Sequence, residues 1–281
     1  MRSMGARERV NPNLLTILER ANQTFNHVGR LEPYLGQVHV GVDLGTAYTV
    51  MAVLDDQFQP LAGRYQFAQI VRDGLVVDFI GAIQLVRKMK SELEEQLGFP
   101  LVRAATTYPP GVPVAEVRAT RNVLIGAGLE CSAFLDEPSA ANALLQVENG
   151  AVVDIGGGTT GIAIIEDGKV VYTADEPTGG THFTLVISGA LNLPFLEAEI
   201  FKTQSDNYPK VHTLVYPVMQ KVGSIIAKHI APFNVPCIYL VGGSSSLKSL
   251  AEVVEDFTGL PTYTPPYPMF VTPIGVAMND L

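Results

Sequence analysis

The chain has 281 residues, of which 47% are hydrophobic, and it carries a formal net charge of -9. This length allows two domains with buried cores, while the negative charge and the lack of a basic stretch argue against nucleic acid as the main partner. No apolar run reaches the length of a membrane span, and the opening MRSMGARERVNPN lacks the apolar segment of a secretory signal, so we expect a soluble, cytoplasmic protein.

An amphipathic helix is predicted near the N-terminus, within residues 1–36. Apolar residues recur there at helical spacing, with Glu19, Arg20 and Asn22 between them. The favoured interpretation is that this helix packs on its own domain, and the alternative is that residues 12–26 dock on a partner protein. The apolar positions are Leu14, Leu15, Leu18, Ala21 and Phe25.

A β-hairpin is predicted over residues 38–54, where an apolar run ends in Asp43 and a second one follows the turn LGTA. The sheet is expected to continue from Leu61 to Gly74. Strands and helices then alternate, which is the pattern of an α/β fold. They are predicted as a helix within 76–97, a strand at 101–107, a helix at 114–126, a strand at 128–135 and a helix from 136.

Glu137 lies where the last of these strands meets its helix, in the stretch DEPSAANA. Ligand crevices of α/β folds form at such junctions, so this carboxyl is a candidate site group. Capping of the helix dipole is the simpler interpretation of this stretch by itself. Pro138 suits a first helical turn, and the small residues after it predict the close approach of another backbone.

A second hairpin of the same form is predicted from Ala151, in the stretch AVVDIGGGTTGIAII. Glycine leaves room for a ligand, consecutive free N–H groups attract anions, and an acid at the strand end can hold a hydrated cation. Either hairpin alone is equally well explained as an ordinary glycine-rich turn. Their repetition predicts a duplicated fold that faces one phosphate chain from both sides. The aligned pairs are Asp43 with Asp154, Leu44 with Ile155, Gly45 with Gly156, and Ala52 with Ala163.

The remainder of the second half also alternates between strands and helices. We predict a strand at 170–174, a helix opening at 178–183, a helix at 195–204, a long helix at 211–229 that opens around Pro217, a strand at 236–241 and a final helix at 272–278. The sequence GGSSS follows the last of these strands, and its serines are expected to cap a helix at 247–257. This glycine turn is a further candidate for anion binding.

The cysteines and histidines do not predict a metal site. Cys131 and Cys237 lie in apolar settings and are expected to be buried thiols of a reducing compartment rather than a disulfide. The five histidines do not have the spacing of metal ligands.

Five stretches resemble motifs of the actin–Hsp70–sugar-kinase ATPase superfamily, from residue 38 to residue 281. The resemblance implies an α/β protein with two ribonuclease-H-like lobes and reduced outer subdomains. An N-terminal extension at 1–36 would precede a first ATPase lobe at 37–150 and a second at 151–281. The stretches are VGVDLGTAYTV, LDEPSAANALL, VVDIGGGTTGIAI, YLVGGSSSLKSL and TPIGVAM, which resemble the first phosphate hairpin, first connecting helix, second phosphate hairpin, adenosine turn and last connecting helix.

The resemblance implies that ATP or ADP is bound with Mg²⁺, and it assigns site residues by position. Glu137 would orient the attacking water, with Asp154 and Thr159 completing the catalytic set. Asp43 and Asp154 would hold Mg²⁺ through water. The nucleotide-binding residues would be Asp43, Gly45, Thr46, Ala47, Tyr48, Gly156, Gly157, Gly158, Thr159, Gly179, Gly180, Glu199, Lys202, Gly242, Gly243 and Ser244.

The sequence departs from the Hsp70 pattern at two site positions. Gly161 stands where Hsp70-type chains carry an acid, two residues after the hairpin threonine. Ser246 stands where they carry an arginine that stacks on adenine.

Within the superfamily the sequence is similar to chaperone-like proteins of bacterial ethanolamine utilisation, on the stretches VRDGLVVDFIGA, TTYPPG, DEPSAA and IGGGTTGIAI. This similarity implies an ATP-binding, ATP-hydrolysing protein of the bacterial cytoplasm that acts on ethanolamine-utilisation enzymes or on microcompartment shell proteins. The alternatives are a reactivating factor for ethanolamine ammonia-lyase and a nucleotide-dependent scaffold that does not hydrolyse ATP. A small-molecule kinase is disfavoured because no acid-rich sugar pocket is evident.

Overall fold

The computed structural model describes residues 12–32, 34–72, 75–111 and 114–281. Two expectations fall on residues outside these ranges. They concern the absence of a secretory signal, at residues 1–11, and the end of the first sheet, at Gly74. The strands are β1 His39–Leu44, β2 Tyr48–Leu54, β3 Pro60–Phe67, β4 Val71–Arg72, β5 Leu75–Val76, β6 Arg103–Tyr108, β7 Glu130–Asp136, β8 Gly150–Ile155, β9 Thr160–Glu166, β10 Lys169–Glu176, β11 Ile238–Val241 and β12 Thr262–Tyr263. The helices are α1 Pro12–Thr24, α2 Phe79–Leu97, α3 Val114–Gly126, α4 Glu137–Leu145, α5 Gly180–Leu191, α6 Phe195–Thr203, α7 Tyr208–Ile230, α8 Leu250–Thr258 and α9 Val271–Ala277.

The two halves of the chain build sheets of the same plan. The first sheet has the strand order β3-β2-β1-β6-β7 and the second has the order β10-β9-β8-β11-β12. In each, the hairpin strands pair antiparallel and the next two strands add in parallel. The register is also repeated, because Leu44 lies opposite Thr49 in one hairpin and Ile155 opposite Thr160 in the other. The duplicated α/β fold is therefore confirmed at the level of individual residue pairs.

Two helices cross between the sheets and hold them together. A Cβ atom on Gly275 of α9 would overlap the carbonyl oxygen of Ala140 in α4, so the two helices touch backbone to backbone. The close approach predicted after Pro138 is thus observed. On its other side α9 lies against β1, where a Cβ on Gly41 would lie 2.6 Å from the carbonyl oxygen of Pro273. The last helix of the second half consequently packs on the sheet of the first half.

Helix α1 belongs to the core of this assembly. Leu14, Leu18 and Ala21 are buried in an apolar cluster that also contains residues of both sheets. The chain after the helix adds to the edge of the first sheet, because Asn26 donates its backbone N–H to the carbonyl of Gly63 at 2.9 Å. The favoured interpretation of this helix is confirmed. The docking of residues 12–26 on a partner protein stays a prediction, and among the apolar positions Leu15, which is 36% exposed, lies outside the buried cluster.

Three local expectations were wrong. The first sheet ends at Phe67, since β4 pairs only with β5 in a separate hairpin. Helix α7 runs through Pro217 without a break, because its buried stripe from Val211 to Ile230 outweighs the cost of about 3 kcal/mol for an internal proline. The serines after β11 form a 3₁₀ turn, and α8 begins only at Leu250 without a side-chain cap.

The outer parts of both halves are small, as expected. The first half carries the β4–β5 hairpin and the second carries α5 and α6, which are bent by 108° relative to each other. Across the described ranges, no individual helix combines the length and apolar character that a membrane span requires. Cys131 and Cys237 are both free thiols, and Cys237 is buried as expected, whereas the expectation of a buried thiol was wrong for Cys131, which is half-buried.

Candidate nucleotide site between the two sheets

The two hairpin tips have the same closed geometry. Gly45 donates its N–H to the carbonyl of Tyr48 at 3.1 Å, and Gly156 donates its N–H to the carbonyl of Thr159 at 3.0 Å. These glycine N–H groups therefore close the turns and are not free for a ligand. The next two N–H groups of each tip, at residues 46, 47, 157 and 158, have no hydrogen-bond acceptor among the described residues. Such unpaired donors at a turn attract an anion.

The tips meet across the interface between the sheets. A Cβ on Gly157 would lie 2.8 Å from the backbone nitrogen of Ala47, and a Cβ on Gly158 would lie 2.7 Å from Thr46 Oγ1. Both distances are shorter than real contacts allow, so only glycine fits these positions. The glycines of the second tip therefore let the two sets of N–H groups lie side by side.

A cleft of about 750 Å³ opens beside the tips and continues into a cavity of about 60 Å³. Glu137 and Thr159 line the smaller cavity, whereas Asp154 lines both. A cavity of this size has room for water. The structure thus brings almost all sequence-predicted residues together; those lining the larger cleft are Asp43, Gly45, Thr46, Ala47, Tyr48, Gly156, Gly157, Gly158, Gly180, Glu199, Lys202, Gly242, Gly243 and Ser244.

Gly179 lines neither space, and the start of α5 supports the second tip instead. A Cβ on Gly179 would lie 2.8 Å from the carbonyl oxygen of Gly156. The N–H groups of Gly180 and Thr181 donate to the carbonyls of Gly156 and Gly157 at 2.9 and 2.7 Å. These helix N-terminal donors hold the second hairpin tip in place and are therefore not free for a ligand.

Three carboxyls at the cleft floor shift each other's proton affinity. Burial first, and then the charge of the nearby Asp154, raises the pKa of Asp43 to about 7, while the hydrogen bond from Thr107 acts in the opposite direction. Burial also raises the pKa of Asp154, which a hydrogen bond from Thr272 partly offsets. The pKa of Glu137 is well above its usual value because of burial first and then the charges of Asp43, Asp154 and Asp175. Like charges held this close favour a bound cation or proton.

These carboxyls fit Mg²⁺ that is held through water. Asp43 accepts a hydrogen bond from Thr107 at 3.3 Å and Asp154 accepts one from Thr272 at 2.6 Å, so both carboxyls are oriented. Across the described ranges, no group of three or more side chains is arranged to ligate a metal directly. Mg²⁺ keeps several of its own waters and needs only one or two carboxylates beside a phosphate.

A buried ion pair closes the far wall of the cleft. Lys202 is 8% exposed, and its Nζ lies 2.7 Å from Glu199 Oε2 and 2.9 Å from Thr184 Oγ1. The same ammonium donates to the carbonyl of Gly180 at 3.3 Å. Burial lowers the pKa of Lys202, and Glu199 opposes that shift. The pair joins α6 to the start of α5 and thereby to the second hairpin tip.

Known protein families and relatives match parts or most of this chain. A model of the cell division protein FtsA matches residues 151–275, and a model of the MreB/Mbl proteins matches residues 63–195. The ethanolamine utilization protein EutJ of Salmonella typhimurium is 44% identical over 239 residues, which cover 85% of this chain and 84% of that protein. The crystal structure of EutJ from Carboxydothermus hydrogenoformans has a TM-score of 0.87 and 42% identity, covering 95% of this chain and 99% of that one.

The chain belongs to the EutJ family. The superfamily resemblance is also confirmed by the MreB/Mbl match and the EutJ structure, and a chaperone protein DnaK of Synechococcus is 33% identical to part of this chain, over 128 residues. That match covers 42% of this chain and 17% of the chaperone. The EutJ family thus has an actin-like and Hsp70-like ATPase fold, in which the cleft lies between two similar sheets.

Sequence reasoning missed several groups of this EutJ-family cleft. Thr272 of α9 and Thr107 of β6 hold the two hairpin acids, yet each lies more than 60 residues from its acid. Asp175 of β10 lies opposite Gly161, with its Oδ1 3.8 Å from the place of a Cβ there. A carboxylate is therefore present beside the position at which the sequence lacks an acid. The sequence could have indicated Asp175 through strand pairing, because pairing β9 and β10 as a hairpin puts Asp175 opposite Gly161.

Proposed function

We propose that this protein binds Mg²⁺-ATP in the cleft, hydrolyses it, and uses the cycle as a chaperone-like factor of ethanolamine utilisation. The single observation that carries the proposal is the meeting of two glycine tips with unpaired N–H groups above Asp43, Asp154 and Glu137. Donors for phosphate, acids for hydrated Mg²⁺ and a carboxyl beside a water-sized cavity are the parts that phosphoryl transfer to water needs.

The donors and acids have separate roles in this proposal. The N–H groups of residues 46, 47, 157 and 158 receive the phosphate chain, which fixes it between both sheets. Asp43 and Asp154, oriented by Thr107 and Thr272, hold the water shell of the metal ion. Mg²⁺, when bound, neutralises the phosphate oxygens.

In this proposal Glu137 serves as the base, which its position on the wall of the small cavity supports. A water in the 60 Å³ cavity would give its proton to this carboxylate while its oxygen attacks the terminal phosphorus, and the bond to the bridging oxygen breaks. Burial and the neighbouring acids raise the pKa of Glu137, which makes its ionised form a stronger base, and the positive charge of Mg²⁺ beside Asp43 and Asp154 would favour that ionised form.

A scaffold that binds ATP without hydrolysis is the second candidate, and Gly161 favours it because this position carries no acid of its own, so that the carboxyl beside it comes from Asp175 of the neighbouring strand. Calorimetric titration with ATP and Mg²⁺ followed by a phosphate-release assay separates the two. We expect binding and slow phosphate release in the unaltered protein. Binding without release would support the scaffold, and absence of binding would overturn both.

The role in ethanolamine utilisation is proposed from the family name of the relatives, and the chaperone-like action from the DnaK match. The clients would be ethanolamine-utilisation enzymes or shell proteins of the bacterial microcompartment, with which the protein would associate in the cytoplasm. Purification from cells grown on ethanolamine, with ATP or ADP in the buffer, tests this. Equal recovery of these proteins in both buffers would argue against a nucleotide-dependent action on them.

A further inference from the structure

Tyr267 has an unfavourable backbone conformation at the edge of the cleft. Its φ and ψ are 49° and 52°, in the left-handed region that bulky residues avoid. The residue also precedes Pro268, and a proline restricts its predecessor to extended conformations. A residue with two independent steric costs persists where the surrounding structure holds it, which is common at ligand sites.

The ring of Tyr267 is the outer member of an aromatic stack. It is 41% exposed and lines the cleft, while its inner face lies against Phe270 with ring centres 6.4 Å apart and planes at 28°. Phe270 is buried and contacts the rings of Phe25 and Tyr65 at 4.9 and 5.6 Å. The inner rings hold the platform rigid, so one aromatic face stays available to the cleft.

This platform is tied to the glycine turn after β11. Gly242 donates its N–H to the carbonyl of Pro268 at 3.1 Å, directly beyond Tyr267. Met269 lies 3.9 Å from the place of a Cβ on Gly243. Ser246 and Leu247 complete this part of the lining. The exposed Tyr267 ring, the Met269 thioether and the glycine turn therefore form one wall, at the end of the cleft where Gly242 and Gly243 lie.

We propose that Tyr267 is the stacking platform for the base of the bound nucleotide. The inference rests on the proposed binding of a nucleoside triphosphate. It names the residue that would set how tightly each base is bound. Stacking uses the ring face and not the hydrogen-bonding edge of a base, so it tolerates different bases. The larger ring faces of adenine and guanine should bind more tightly than those of cytosine and uracil.

The test compares ligands with and without a base. Calorimetry would measure binding of Mg²⁺-ATP and of Mg²⁺-tripolyphosphate to the unaltered protein, Tyr267→Ala and Tyr267→Phe. We expect Tyr267→Ala to weaken ATP binding roughly 5- to 150-fold and to leave tripolyphosphate binding unchanged. Tyr267→Phe keeps the ring and should bind both ligands as the unaltered protein does. Tyr216→Ala is the matched control, because Tyr216 is 37% exposed on α7 outside the cleft.

The outcomes separate the inference from the function on which it rests. Equal ATP affinity for Tyr267→Ala and the unaltered protein would overturn the stacking role and leave nucleotide binding intact. An equal loss for both ligands would also overturn it, since the change would then act on the fold or the phosphate site. If Tyr267→Ala does not fold, equal affinities of the unaltered protein for ATP, GTP, CTP and UTP would overturn it. Failure of the unaltered protein to bind any of these would overturn both proposals.

Discussion

The neighbouring glycines Gly242 and Gly243 should respond in opposite ways to substitution. Gly242 has a φ of +83°, and a Cβ there would overlap Asp154 Oδ1 and lie 2.7 Å from the carbonyl oxygen of Ile155. Gly242 combines this φ with a ψ of 158°, a region that essentially only glycine adopts and that costs other residues about 1–3 kcal/mol, and overpacking adds about 1–3 kcal/mol. We therefore expect Gly242→Ala to lower the free energy of unfolding by about 2–6 kcal/mol, which corresponds to a Tm lower by roughly 5–15 °C.

At Gly243 we expect room for a side chain in the ligand-free protein but not in the proposed complex with Mg²⁺-ATP. A Cβ there would meet only Met269, at an ordinary contact distance of 3.9 Å. Gly243→Val should therefore change the free energy of unfolding by less than about 1 kcal/mol. Its methyl groups would enter the cleft at the turn expected to approach the nucleotide, so Mg²⁺-ATP binding should be lost.

Differential scanning calorimetry and binding titration of both variants check this pair. A Gly243→Val protein that binds ATP as the unaltered protein does would refute the placement of the nucleotide at this turn. A Gly242→Ala protein of unchanged Tm would refute the reasoning from φ and the overlap with Asp154. Gly156→Val should behave as Gly243→Val does, with little change in stability and a loss of Mg²⁺-ATP binding. The nearest atom to a Cβ at this position is the carbonyl oxygen of Thr159, at 3.7 Å.

Four further predictions follow from the cleft and the core. Glu137→Gln should reduce phosphate release about 10²–10⁴-fold with little change in ATP affinity, measured under saturating ATP. Asp175→Asn should lower phosphate release less than Glu137→Gln does, because Asp175 acts on Glu137 through its charge. The folded pKa of Asp43 is about 7 against 3.8 for the free side chain, so the folded state binds more protons between these values. The ligand-free protein should then lose stability as pH rises from about 4 to about 7, and Asp43→Asn should flatten that slope in thermal melts. Leu18→Ala should lower the free energy of unfolding by about 2–5 kcal/mol, measured by denaturant titration, because Leu18 is fully buried.

Each of these has a control or a contrary result. Glu130→Gln makes the same chemical change at an exposed position on β7 and should leave phosphate release unaltered. Equal rates for Glu137→Gln and the unaltered protein would remove Glu137 from the catalytic role. A pH slope of unchanged size in Asp43→Asn would assign it to other groups, since burial also raises the pKa values of Asp154 and Glu137. Leu15→Ala, on the exposed side of α1, should cost far less than Leu18→Ala, and equal costs would place α1 outside the core.

The sequence by itself determined the local elements and their repetition. Strand, glycine turn and strand are specified within about 15 residues, because hairpin pairing depends on near neighbours and on the backbone freedom of glycine. The acid at the end of each first strand follows from the same pattern. This is why Asp43 and Asp154, the two tips and the order of strands and helices were predictable from the sequence.

Only the tertiary structure decided which side chains meet in the cleft. Thr272 reaches Asp154 because the start of α9 lies beside the end of β8, and Asp175 lies beside Gly161 because β10 pairs with β9. The Tyr267 ring acquires its place from Phe270 and from the bond between Gly242 and Pro268. These contacts join residues that are distant in the chain, and they form only when the packing of both sheets and the crossing helices fixes their relative positions. Residue patterns within one segment carry no information about distances between residues of different segments. These distances are therefore known only from the tertiary structure.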